Sequence, residues 1–296
     1  MDVRAIGMGV AFAIMWASAF SSARIIVADA PPLTALAIRF LISGAIGVGV
    51  ALWLGQSWRL TRGQRRATLV FGLCQNGLYL GMNFIAMQWI EASLAAIIAS
   101  TMPLLVALGG WLAFGDKVRP LGVAGLVAGC AGVALIMGSR ISGGVDMAGL
   151  GFCVIGVLSL TVATMAVRGA SSGGNVLMIV GLQMLVGSAA LAVAAVATES
   201  WAVNWTWTLG AAFAYTVLVP GLLATWVWFR LVGRIGAVRA ATFHFLTPFF
   251  GVGIAALLLG EALAPMDAVG VGVIMLGILA VQLAKQPAAK PIAAGD

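Results

Sequence analysis

Two ionisable side chains stand inside long apolar runs of the 296-residue sequence, Arg39 and His244. Arg39 comes about six residues into its run, roughly 9 Å from the end at the rise of a helix. If the run crosses a bilayer, an unpaired guanidinium at its centre costs about 2.5–3.5 kcal/mol on insertion scales. Two readings of Arg39 stay open. It draws an anionic group such as a carboxylate into a cavity, or it is a structural ion pair or an anchor whose head snorkels to the interface. His244 is the only histidine and stands four residues before Pro248. Proline has no N–H for the carbonyl of residue 244, so the helix is loosened there. The imidazole could bond a substrate or titrate; the alternative is a packed histidine bonded to a neighbouring helix.

Polar groups with helical spacing widen the candidate set. Asn76, Tyr79 and Asn83 fall at i, i+3 and i+7 and share one side of a regular helix. Substrate contact and interhelical bonding both fit them. Trp16 stands near the middle of its run, whereas Trp53, Trp58, Trp89, Trp111, Trp201, Trp205 and Trp207 stand near run ends, where an aromatic belt is expected. Trp16 therefore lines a cavity or packs in the core. Ser100, Thr101, Thr161 and Thr164 are lesser candidates for the same cavity, and Pro103 and Pro248 are candidate hinges. Cys74, Cys130 and Cys153 lie in apolar runs with no CxxC spacing. They read as small core residues, with no metal or cofactor site. All acidic residues fall in tails, connections or at the ends of runs, so no carboxylate is expected at mid-membrane. Proton or sodium coupling usually uses one, so gradient-driven exchange is expected, with His244 the exception to test.

The elements that must position these residues follow from composition. Hydrophobic residues make up 62% of the chain and charged residues 8%, with a mean hydropathy of +1.11. Soluble domains carry roughly 25% charge, so the chain is read as an all-α integral membrane protein. The net charge of +7 is assigned to loops that set topology, and nucleic-acid binding is not expected, because no basic patch is interleaved with aromatics. A span needs about 20 apolar residues. Ten segments qualify, near 5–28, 33–54, 67–89, 92–114, 121–139, 147–167, 176–197, 209–232, 236–259 and 267–284.

A stretch near 91–133 recurs 145 residues later, near 236–278. Ala92, Ala95, Ala96, Pro103, Gly115, Pro120, Gly125 and Gly132 fall on Ala237, Ala240, Ala241, Pro248, Gly260, Pro265, Gly270 and Gly277, and Asp116 falls on Glu261. Such self-similarity marks a duplicated unit. Two five-helix repeats are expected, 1–143 and 144–285, followed by a disordered tail, 286–296. With alternating spans, Arg4, Arg59, Arg62, Arg65, Arg66, Lys117, Arg119, Arg168, Arg230, Arg234, Arg239, Lys285 and Lys290 share one side; only Arg24 and Arg140 take the other. This positive-inside asymmetry puts both termini in the cytoplasm of a cell-membrane protein. Five is odd, so the second repeat enters inverted, an arrangement of secondary transporters that bind substrate near the midplane between repeats. The glycine seam Gly122, Gly125, Gly129 and Gly132 is expected to meet Gly270 and Gly277, within one chain or across a homodimer.

Trp16-Ala17-Ser18-Ala19-Phe20 and Arg24, then Ala37-Ile38-Arg39-Phe40, Pro103, Thr247-Pro248 and Leu259-Gly260-Glu261 together resemble the EamA family of the drug/metabolite transporter superfamily. The resemblance covers nearly the whole chain. It implies ten helices around a central cavity and transport of a small-molecule substrate, amino acids first and aromatic or hydrophobic ones favoured, with export the expected direction. Nucleotide-like, sugar-like or drug substrates are the alternatives. From other classes, an intramembrane enzyme lacks GxSxG and HExxH, and nothing soluble protrudes to suit a structural or signalling protein. The second half does not repeat the chemistry of the first: Trp16 aligns near Leu160 and Arg39 near Gln183.

Overall fold

A computed structural model describes residues 3–166 and 174–284. The expected tail, with Lys285 and Lys290, and the connection holding Arg168 lie outside the described residues. Among the described residues, ten helices are long and apolar enough to cross a membrane: α1 Val3–Asp29, α2 Pro32–Trp53, α3 Arg62–Ala86, α4 Ala92–Phe114, α5 Pro120–Ser142, α6 Met147–Ala166, α7 Val176–Thr198, α8 Trp207–Ile235, α9 Arg239–Leu259 and α10 Pro265–Ala284. No strand occurs among the described residues. Only helices and closed barrels satisfy every backbone polar group in hydrocarbon, and this chain takes the first solution throughout. The ends differ from expectation mainly at α3, which starts five residues early. Thr61 Oγ1 accepts a bond from the Gln64 N–H, and Gln64 Oε1 accepts one from the Thr61 N–H, so a capping box draws the arginine-rich stretch into the helix.

Helix starts are set by prolines and by side chains that reach them from elsewhere. Pro32, Pro120 and Pro265 open α2, α5 and α10, where a missing N–H costs nothing. The Glu199 carboxylate accepts from Leu33 N and Thr34 N at 2.7 and 2.9 Å. The Glu261 carboxylate accepts from Ala92 N and Ser93 N at 2.7 and 3.0 Å. Each carboxylate meets a positive helix end and ties two regions far apart in sequence. Gln56 Oε1 does the same for Met178 N at the start of α7, 3.0 Å away. Asp267, fully buried, pairs with Arg140 at 2.7 Å, and the same guanidinium pairs with Glu91. Asp29, Glu91, Arg140, Glu199, Glu261 and Asp267 thus gather the end of α1, the start of α2, the start of α4, the end of α5 and the start of α10 on one face.

Close helix approach is built on glycine. A Cβ at Gly125 would sit 2.6 Å from the Gly277 carbonyl oxygen, and one at Gly132 2.8 Å from the Gly270 carbonyl oxygen. The seam therefore closes α5 on α10 within one chain. A second seam joins α2 to α7, where a Cβ at Gly181 would lie 2.7 Å from Val48 N. Of the cysteines, Cys153 is buried as expected, Cys74 is half-buried, and Cys130 is exposed on the outer side of α5; it is not a core residue, because the buried stripe of α5 is taken by its glycines.

Where the helices depart from regularity, they do so in matching places. A π stretch in α3, Gly72–Tyr79, has its counterpart in α8 at Val217–Leu223. α4 breaks at Thr101, and α9 passes through a 3₁₀ turn, Thr242–Leu246, before Thr247 restarts the α-helix. Pro103 and Pro248 each occupy the first turn after the break. Gly115 and Gly260 end the two helices with left-handed conformations, φ 65° and 67°. A side chain at either would be strained.

Replacing Gly125 with leucine forces the α5–α10 seam apart. Overpacking of this kind costs about 1–3 kcal/mol, so the purified variant should melt several degrees lower than wild type. Gly138→Leu on the same helix, where nothing lies within 4 Å of a Cβ, should melt as wild type does. Equal melting temperatures for the three proteins would mean the seam carries no packing energy.

Candidate functional site

A small space lies among α1, α2, α3 and α8. It is lined by Trp16, Phe20, Arg39, Tyr79, Asn83 and Pro220, with Ala19, Ala23, Leu80, Phe84 and Met87 completing the wall. Four of the expected residues meet there: Trp16, Arg39, Tyr79 and Asn83. The cavity measures about 50 Å³, room for a few waters at most. Pockets that hold a metabolite run to roughly 300–1,000 Å³, so the walls must part before any substrate enters.

Each wall has a structural reason. The π stretch of α3 inserts extra backbone and turns Tyr79 and Asn83 toward the cavity. It also changes the helical phase, so Asn76 does not share their side as the regular spacing predicts. Asn76 is buried against α7 instead, where its Cβ would lie 2.3 Å from a Cβ added at Gly187. Asn83 Nδ2 donates back to the Tyr79 carbonyl at 2.7 Å, and Cys153 Sγ lies 3.5 Å from Asn83 Oδ1. Pro220 sits inside the π stretch of α8. α8 is joined to α1 by hydroxyls: Ser18 Oγ and Tyr215 Oη are 2.8 Å apart, as are Thr216 Oγ1 and Ser22 Oγ.

Arg39 is 7% exposed, and its guanidinium carbon lies 5.1 Å from the Phe40 ring centroid. No ion pair to it occurs among the described residues, where Arg140 makes both salt bridges. Both alternatives, the ion pair and the snorkelled anchor, are therefore corrected: Arg39 is buried and has no anionic partner among the described residues. Its Nε has no acceptor, nor does Ser43 Oγ one turn further along α2.

Two contacts flank the cavity. Toward the carboxylate-rich face, Arg24 Nη1 on α1 donates to the carbonyl of Met87 at the end of α3. Beyond that contact opens a cleft of about 660 Å³ lined by Arg24, Asp29, Glu91 and Glu261. On the opposite side, three rings meet His244 edge to face. Its ring is 5.2 Å from Phe12, 5.3 Å from Trp228 and 6.0 Å from Trp16. Phe12 and Trp228 are 4.7 Å apart. His244 therefore stands beneath the cavity as part of an aromatic floor, with Trp16 shared between floor and wall. Its carbonyl, which Pro248 cannot serve, takes the Thr247 N–H within the 3₁₀ turn.

The remaining candidates do not line the space. Ser100 and Thr101 bond to Ile97 O and Ile98 O, both at 2.7 Å, and Thr161 and Thr164 to Val157 O and Leu160 O, both at 2.8 Å. Each hydroxyl is satisfied on its own helix, as serine and threonine commonly are. Pro220, Phe20, Phe84 and Met87 were not singled out from sequence. Only Pro220 carried a signal, a proline inside an apolar run. No group of three or more metal-ligating side chains occurs among the described residues.

The EamA-like transporter family matches this chain twice, over residues 3–138 and 147–283. The chain is 28% identical over 289 residues to the uncharacterized transporter YvbV of Bacillus subtilis, covering 95% of this chain and 92% of that protein. It is 26% identical to PecM of Dickeya dadantii, covering 94% and 93%. A shorter match, 31% over 113 residues, covers 38% of this chain and 39% of the aromatic amino acid exporter YddG of Ancylobacter novellus. A crystal structure 21% identical in sequence superposes with a TM-score of 0.68 over 96% of this chain and 98% of the other, so the fold is shared. With ten membrane-length helices and a family match over both halves, the chain is an integral membrane protein that belongs to the EamA-like transporter family.

Proposed function

We propose that the protein exchanges small metabolites across the cell membrane by alternating access, with amino acids of aromatic or hydrophobic side chain as the leading substrate class and export as the direction. The observation that carries this reading is the cavity itself. It lies between helices that belong to different halves of the chain, it combines aromatic walls with a few polar groups, and it is flanked by an arginine–carbonyl bond on one side and a cluster of rings on the other. The recurrence of the π stretches, the proline breaks and the left-handed glycines 145 residues apart supports two five-helix repeats, 1–143 and 144–285. The gathering of α1, α2, α4, α5 and α10 ends on one face supports antiparallel spans, and so an inverted second repeat with both termini cytoplasmic. Inverted repeats can exchange conformations, so a state open to one side implies a state open to the other. The partial match to an aromatic amino acid exporter favours that substrate class.

Counterflow in proteoliposomes tests this directly. Labelled phenylalanine or leucine should accumulate in vesicles preloaded with the unlabelled amino acid. Trp16→Ala should cut the initial rate at least about tenfold if ring contact supplies more than about 1.4 kcal/mol. No accumulation with any amino acid, or a Trp16→Ala variant as fast as wild type, would contradict the proposal.

Coupling is a separate point. Described acidic residues sit at span ends or in connections, and His244 is enclosed by rings rather than by carboxylates. Exchange should therefore proceed without a pH gradient, and His244→Gln should leave that independence unchanged. Counterflow that requires an imposed pH gradient in the His244→Gln protein would overturn the exchange mechanism.

A further inference from the structure

Resting on the cavity as the substrate site, we infer that it reads the carboxylate of its substrate and not an ammonium group, so organic monocarboxylates with an aromatic or apolar body bind better than the matching zwitterions. The inference comes from counting donors and acceptors where the substrate must sit. Arg39 brings a full positive charge, 93% buried, with Nε lacking any acceptor. Ser43 Oγ on the same helix is 1% exposed and also lacks a partner. Both flank Gly221: a Cβ there would lie 3.9 Å from Arg39 Nη2 and 3.4 Å from Ser43 Oγ. The missing side chain leaves a notch in the π stretch of α8, bordered by these two donors and, at 3.1 Å, by the Thr216 carbonyl oxygen.

Two backbone carbonyls of the same wall are already engaged. The Tyr79 carbonyl takes Asn83 Nδ2, and the Met87 carbonyl takes Arg24. None of the lining residues is acidic. Asp29, Glu91 and Glu261 lie in the cleft beyond the Arg24–Met87 contact, outside the cavity. An ammonium entering this space would meet an unneutralised guanidinium and no carboxylate. A carboxylate would gain charge-assisted hydrogen bonds and neutralise a buried charge, and such bonds are roughly twice as strong as neutral ones. Trp16, Phe20 and Phe84 then receive the body of the molecule.

Three probes with one ring and different termini separate the possibilities: phenyllactate, an anion; phenylalanine, a zwitterion; and phenylalaninol, a cation. Titration calorimetry on the detergent-purified full-length protein should give phenyllactate a Kd about tenfold below that of phenylalanine, with no binding of phenylalaninol. Arg39→Gln should erase the preference and Arg39→Lys retain part of it. Should Arg39→Gln fail to fold, Ser43→Ala and Gly221→Ala, which remove a donor and fill the notch, should each weaken phenyllactate about three- to tenfold. Phenylalanine binding as tightly as phenyllactate, phenylalaninol binding, a preference that survives Arg39→Gln, or no binding by all three would each overturn the inference. Counterflow decides the underlying reading separately. Phenylalanine exchange without a carboxylate preference defeats the inference alone, whereas absence of exchange for every labelled solute defeats the transport reading beneath it.

Discussion

Every backbone N–H and C=O that enters hydrocarbon must find its partner inside the protein. This protein meets that demand with ten helices, and the demand explains where it can afford irregularity. The π stretches of α3 and α8, the break at Thr101 and the 3₁₀ turn before Thr247 would be intolerable against lipid. Their inner sides, with Gly72, Asn76, Tyr79, Val217, Pro220, Gly221 and Phe243, are buried against neighbouring helices. Glu199, Glu261 and Gln56 serve helix starts that come from distant parts of the sequence. Capping groups of this kind contribute about 1 kcal/mol each, but their larger effect is to fix which helix ends meet.

The same irregularities make the cavity. A regular α3 would hold Asn76, Tyr79 and Asn83 in one row; the π stretch sends the last two to the cavity and the first to α7. In α8 the π stretch holds Gly221, which has no side chain, beside Arg39 and Ser43. Glycine seams at α5–α10 and α2–α7 hold the outer helices close, while α1, α3 and α8 meet through hydroxyls, a single arginine–carbonyl bond and stacked rings. The glycine-packed contacts lie at the periphery and the hydroxyl, carbonyl and ring contacts around the cavity, the distribution that the proposed alternating access requires.

Much of this was legible in the residues. Ten apolar runs of spanning length, the 145-residue recurrence with its prolines and left-handed glycines, and the asymmetry of arginine and lysine all follow from patterns that physics repeats along the chain. Trp16 and Arg39 were legible because each stands where lipid would not tolerate it cheaply. What stayed hidden depends on local backbone or on distant partners. Nothing in Gly72–Tyr79 announces a π stretch, so the side shared by Asn76 and Asn83 was misjudged. The hydroxyls of Ser100, Thr101, Thr161 and Thr164 bond their own helices, an outcome that spacing alone does not separate from lining a cavity. The Met87 carbonyl that takes Arg24 is a backbone atom, and no residue type marks it. Cys130 illustrates the opposite error: an apolar setting does not distinguish the core from the lipid.

The central claim is that the space bounded by Trp16, Arg39, Tyr79 and Asn83 is reached from each side of the membrane in turn. The most direct measurement places a single cysteine at Ala19, on the cavity wall, in protein whose Cys74, Cys130 and Cys153 have been replaced. Reaction with a charged, membrane-impermeant thiol reagent is then followed in right-side-out and inside-out vesicles. Modification from both sides, slowed in both by a transported solute, is the predicted result. Labelling confined to one side under every condition, or none from either, would contradict the account.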